Sequence, residues 1–341
     1  MPLPPALLVD PLPVIAVHPH FLAADVPSPP VRIHTLLTGW QFGDWTADVA
    51  FAFVLASIAA YLWGVRRLDI RGRRWPFRRT GSFLAGSIVL VIAVVSGFAS
   101  YDDSVFTVHV VQHVLLMMVA PPLLAMGAPI TLALQASGRP FQSALSRFLH
   151  SLPVRLVTVP IAVGAVYFAS MWIDMQTSFY PYSLRHPLVH DASHLVLLAI
   201  GCLYWWPMVA VDELPHRPPV PMRLGLLFVG IPFEAFLGIS MMSMGTPIAP
   251  EHTLTDTRTG GGIFWILSMA IMLGAAIVIV VNWMNQEERR ARRVDRIASR
   301  EENRGSPPLR SADPHDAWAA AWIARTGSVP GSATAPPAEH Q

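Results

Sequence analysis

The sequence predicts an all-α, polytopic membrane helix bundle of seven transmembrane helices, with the N-terminus outside and the C-terminus cytoplasmic. Three observations lead there. Apolar residues make up 53% of the 341 and charged residues only 13%, about half the usual charged share of a soluble domain. Mean hydropathy is +0.45, and such a chain could not fold in water without exposing large apolar patches. The 24 basic residues, all arginine, fall almost entirely on one side of the apolar stretches.

A span needs about 20 largely apolar residues, and seven stretches qualify: Thr46–Val65, Thr80–Ser100, Thr107–Leu134, Pro153–Ile173, Leu188–Val211, Pro221–Met244 and Gly262–Met284. The third is long, and Pro121–Pro122 predicts a kink in it, because proline removes a ladder donor and its ring crowds the preceding turn. Pro160 and Pro232 predict milder kinks in the fourth and sixth.

Loop arginines set the orientation. One side collects 21, including Arg66, Arg67, Arg71, Arg73, Arg74, Arg78 and Arg79 in the first loop; the other holds Arg32, Arg185 and Arg258. The richer side is expected to be cytoplasmic. The expected division is a Pro-rich outer arm over residues 1–45, a seven-helix domain over 46–284, and a cytoplasmic basic helix with a disordered tail over 285–341. The absence of lysine excludes Schiff-base and P-loop chemistry. A single cysteine, Cys202, excludes a disulfide within the chain and a cysteine zinc cage.

The chemistry-bearing pattern is histidine. His109 and His113 stand at i, i+4 near the outer start of the third span, and His190 and His194 do the same in the fifth. That spacing puts both rings of a pair on one helix face. Both helices enter from the outside, so the two pairs share a depth. Two readings follow: interhelical hydrogen bonding, or a metal or haem site between the helices. Met117, Met171, Met241 and Met244 fall near the same level. Thioether with imidazole suits soft Cu(I), although methionine is also an ordinary filler of helical cores. Asp191, beside His190, and Asp174, Glu251 and Asp256 in outer loops are candidates to orient a ligand ring, although solvated loop charge is the simpler reading of each alone, and Glu234 stands in mid-span, where a charge is costly.

The run Trp40-Gln41-Phe42, then Arg73-Arg74-Trp75-Pro76, then HVVQHVLLMMVAPPLLAMGAPITLAL at 109–134 resembles the seven-span CtaG family of cytochrome c oxidase assembly proteins, caa3 type. HDASH at 190–194, Trp205-Trp206-Pro207, Phe236-Leu237-Gly238, Gly261-Gly262 and Trp265 follow in order, and the likeness covers about residues 40–290. Where that family carries methionine after each histidine of the first pair, this chain has Val110 and Val114. The resemblance implies a non-enzymatic factor in the bacterial cytoplasmic (inner) membrane. It would help place copper, held as Cu(I), in the catalytic subunit of a haem-copper oxidase, with an extracytoplasmic copper donor as a further partner. The lipid bilayer is its other partner, and nothing in the sequence points to nucleic acid. Two alternatives stay open: a redox protein with bis-histidine haem b, and a copper or proton transporter.

Overall fold

The computed structural model describes Leu36, residues 39–40, 42–212 and 218–302, and five positions between 318 and 325. Most of the expected N-terminal arm and of the tail beyond 302 lie outside the described residues. Among those described, every regular element is helical. The chain forms two compact units, one reaching Ile277 and one beginning at Val278.

In the first unit, α1 (Trp45–Ile70) begins at Asp44, whose carboxylate accepts from the Thr46 N–H at 3.0 Å, an ordinary N-cap. The second hydrophobic stretch is α2 (Phe77–Val95) and the short α3 (Gly97–Tyr101), separated at Ser96.

The third stretch departs most from a simple kinked helix. It consists of α4 (Phe106–Val114), one π turn over Leu115–Val119, α5 (Ala120–Met126) and α6 (Pro129–Ala136). The Ala120 N–H reaches back to the Leu115 carbonyl. The widened turn lies directly before Pro121 and Pro122, the residues that cannot donate to the ladder. Ala128 then adopts a left-handed conformation at φ 50°, turning the chain before Pro129 opens α6. The Tyr61 hydroxyl holds this corner by donating to the Gly127 carbonyl at 2.8 Å.

Two short helices, α7 (Arg139–Leu149) and α8 (Leu152–Val157), precede α9 (Pro160–Gln176). The fourth stretch, expected to run from Pro153 with a mild kink at Pro160, is instead cut at Thr158–Val159, because Pro160 takes a first-turn position and starts a new helix. After α10 (Phe179–Leu184) come α11 (Pro187–Val209) and α12 (Val220–Met242), which continue through Pro207 and Pro232, respectively. The last helix, α13 (Leu254–Glu302), runs without interruption from the final hydrophobic stretch into the arginine-rich segment.

Among the described residues, six helical stretches are long and apolar enough to cross a membrane: α1, α2–α3, α4–α6, α11, α12 and α13. With 17 residues, α9 is shorter than these six. This is a multi-pass membrane architecture. The α4–α6 stretch is its centre, packing on α1, α2 and α11, while α9 joins α11 to α12. Small residues permit the closest approaches. A Cβ on Gly238 of α12 would fall 2.9 Å from the Gly261 carbonyl oxygen of α13, the backbone-to-backbone packing that membrane helices use.

Candidate metal centre

The start of α4 is held from another helix. The Asp256 carboxylate, in the first turn of α13, accepts from the Phe106 N–H at 2.6 Å, the Thr107 N–H at 3.1 Å and the Thr107 hydroxyl at 2.6 Å. Three otherwise unpaired donors are met by one side chain supplied in trans. This sets the rotation of α4 and with it the direction of its histidine face. On α11, Pro187 occupies the first turn and His190 and His194 follow on the buried face.

The two pairs meet. Ring centroids are 4.0 Å apart for His109 and His113 and 4.6 Å apart for His190 and His194. Across the helices, His109 lies 5.4 Å from His190 and 5.9 Å from His194, and His113 lies 5.3 Å from His194. All four are buried, the most accessible being His194 at 8%.

Carboxylates complete the cluster. Asp102, just past α3, offers an oxygen that lies within 4.8 Å of nitrogens of His109, His190 and His194, every pair of donors meeting that limit. Asp174, near the C-terminal end of α9, forms a second such group with His109 and His113. Tetrahedral coordination with bonds of about 2.0 Å separates donors by roughly 3.3 Å, so a contraction of the side chains brings either group to ligand spacing. Asp174 Oδ2 is 3.2 Å from His113 Nδ1, and Asp103 Oδ1 is 3.5 Å from His190 Nδ1. The first pair is close enough for electrostatic attraction, yet its geometry does not complete a hydrogen bond.

Interhelical hydrogen bonding does not account for this cluster. Both nitrogens of His109, both of His113, and Nε2 of His190 and His194 are buried without a hydrogen-bond partner among the described residues. Each such group costs several kcal/mol in an apolar interior, on the order of 2–7 for a neutral polar group. Their grouping with carboxylates suits a cation. Burial, with Asp103 adding to it, pushes the Asp102 carboxyl well above its ordinary value; a bound cation would favour its ionised form instead.

Two residues without any sequence spacing to mark them also belong here. The Tyr180 ring of α10 lies 4.5 Å from His109, and its hydroxyl is 2.7 Å from Nε2 of His252. Burial raises the Tyr180 phenol well above its usual range and lowers His252. Together with Phe106, 5.8 Å from His252, they cap one side of the cluster.

Of the other candidates, Asp191 is half-buried and engages Thr46, and it belongs to neither donor group. Met117 is buried in the π turn one helical turn beyond His113. Met171 is buried on α9 and Met241 on α12, the latter against Gly261. Met244 is partly exposed, and its carbonyl accepts from Arg258. Asp102, Asp103 and His252 have no counterpart among the sequence candidates. The adjacent Asp102 and Asp103 at the end of the second stretch were the available sign.

Residues 59–286 match the model of the cytochrome c oxidase caa3 assembly factor family, Caa3_CtaG. The chain belongs to that family. The matched region contains all four histidines, Asp102 and Asp174. Curated relatives of this family member include uncharacterised proteins of Mycobacterium bovis and Mycobacterium tuberculosis. Each is 32% identical over 296 residues, covering 82% of this chain and 44% of its own length. One of Mycobacterium leprae is 29% identical with the same coverage. The chain thus spans less than half the length of the curated relatives it matches. No solved structure matches it.

Proposed function

We propose that this assembly factor holds Cu(I) as cargo at His109, His113, His190 and His194 and delivers it to the catalytic subunit of a haem-copper oxidase. The observation that carries the reading is the meeting of four buried histidines, six of whose ring nitrogens lack a hydrogen-bond partner among the described residues, in a member of an oxidase assembly family. Imidazole is a good copper ligand, and the destination in such an oxidase is a buried site, so a ligand-exchange partner inside the bilayer shortens the path. The methionines Met117, Met171 and Met241 supply soft atoms nearby, and an extracytoplasmic donor would load the site. A haem held between two of these rings fits less well, because four rings crowded this closely leave no planar slot for a macrocycle.

The setting we propose is the bacterial cytoplasmic membrane, crossed seven times, with the histidines toward the outside. Two features support it. The arginine asymmetry is 21 to 3. The chain also leaves α6 near Arg71, whose side chain donates to the Gln135 carbonyl, and regains the histidines at Asp174. In between, α9 has to make that return. At 1.5 Å per residue its 17 residues reach about 25 Å, somewhat short of a typical hydrocarbon core and within what local bilayer thinning accommodates.

The test is copper per haem in oxidase isolated from a strain lacking this gene. We expect oxidase polypeptide and haem at wild-type levels with copper depleted, and an optical spectrum of the purified factor without a haem band. Normal copper and normal activity in that strain would reject the reading.

A further inference from the structure

The cluster divides into two donor groups that share one member. One comprises Asp102, His109, His190 and His194; the other comprises His109, His113 and Asp174. We infer that these are two alternative stations for one ion, which passes between them while His109 stays bound throughout. The inference rests on the copper-holding reading above and deepens it from a site to a path.

Three observations carry it. First, beyond the shared His109 the groups draw on different elements: one takes Asp102 from just past α3 and His190 and His194 from α11, and the other takes His113 from α4 and Asp174 from α9. Second, a neutral imidazole offers one lone pair, its other nitrogen carrying the proton. His109 can therefore serve a single ion at a time, and the stations exclude each other.

Third, the shared ring has no carboxylate within ion-pair distance among the described residues. A metal-binding histidine ordinarily has its second nitrogen fixed by a carboxylate or carbonyl, which sets both tautomer and orientation. His113 has Asp174 within 3.2 Å and His190 has Asp103 within 3.5 Å. His109 has neither nitrogen engaged and is only 1% exposed. Its neighbours are rings: Phe106, Tyr180, His113, His190 and His194. No hydrogen bond commits this ring to one group over the other, so a small tilt is what the exchange requires of it. The step is pure ligand exchange: the bonds to His190, His194 and Asp102 are lost as those to His113 and Asp174 form, with no change in the oxidation state of the ion.

The experiment uses the full chain purified in detergent, Cu(I) as the probe, and competition against a chromogenic Cu(I) chelator. Each variant is checked for wild-type elution and melting temperature. Wild type should bind one equivalent. His113→Ala and His190→Ala should each still bind one equivalent, because each leaves the other station whole. If the stations are of like affinity, each loses about twofold, the statistical share of one of two exclusive positions. The double variant and His109→Ala should bind at least a hundredfold more weakly. X-ray absorption should show coordination by more imidazoles in His113→Ala than in His190→Ala, and Asp174→Asn should resemble His113→Ala.

If wild type binds one equivalent while His113→Ala and His190→Ala both lose it, the four histidines form one indivisible site. The two-station inference then fails while the copper-holding function survives. Two equivalents bound at once by wild type would also overturn it, since the stations would not be exclusive. If wild type binds no Cu(I), the proposed function itself falls.

Discussion

Asp256 and Asp212 do the same work at opposite ends of the central stretch. Asp256 closes the start of α4. Asp212 accepts from the Ile130 N–H at 3.3 Å, from the Thr131 N–H at 2.7 Å and hydroxyl at 2.6 Å, and from the Trp206 indole at 3.0 Å, so it closes the start of α6. In both cases a helix that starts anew within the stretch exposes backbone donors that lipid cannot satisfy, and a carboxylate from a distant segment meets them. Replacing Asp256 with Ala removes three accepted bonds and leaves the Phe106 and Thr107 N–H groups unpaired. We expect a loss of about 1–3 kcal/mol, read as a lower melting temperature in detergent, together with weaker Cu(I) binding because α4 is no longer held in rotation. Asp256→Asn, which keeps one acceptor oxygen, should fall between. An Asp256→Ala variant with wild-type melting and copper affinity would show that the clamp does not set the histidine face.

At the scale of elements, the site depends on how closely α11 approaches the π turn. A Cβ on Gly201 would lie 2.8 Å from the Met117 carbonyl oxygen and 2.9 Å from its Cα. Backbone cannot give way as a flexible side chain can, so Gly201→Val should push the helices apart and separate His190 and His194 from His109 and His113. The expected result is folded protein that binds Cu(I) at least tenfold more weakly. Gly274 of α13, where an added Cβ would meet nothing within 4 Å, provides the matching control: Gly274→Ala should leave affinity unchanged. Equal affinity in Gly201→Val and wild type would mean that the spacing of α11 and the π turn does not matter. The π turn was not legible from residue pattern. Pro121 and Pro122 announce a disturbed ladder, but proline chemistry alone does not choose among a kink, a break and a widened turn. The packing of α5 on α2, through Gly86 and the Leu123–Leu124 pair, is a tertiary matter.

For the whole molecule, the proposed seven-span, histidine-outside arrangement makes a direct prediction. In a Cys202→Ser background, a cysteine at Thr177, just beyond α9, should react with a membrane-impermeant maleimide added outside intact cells. A cysteine at Ser137, just beyond α6, should react only after the membrane is opened. The reverse pattern would invert the topology, and labelling of both from outside would mean that α9 does not cross.

The sequence by itself determined the helical membrane class, the family, the histidine pairs and their common level. The family follows from the resemblance of its motifs; the rest follows from local quantities: mean hydropathy, charge placement, and the i, i+4 geometry that any helix imposes. It also placed most hydrophobic stretches within a few residues of their helices, because an apolar run in lipid has no alternative to closing its own backbone bonds. Only the tertiary structure decided that the two pairs face each other, and that Asp102 and Asp174, rather than Asp191, are the carboxylates that join them. Asp191 is adjacent to His190 in sequence, yet neighbouring helical positions point about 100° apart, which turns it toward Thr46. Asp102 lies 7 residues before His109 and Asp174 lies 61 residues after His113. Only the packing of separate helices brings them together, because what surrounds a buried histidine depends on contacts between helices that no local periodicity encodes.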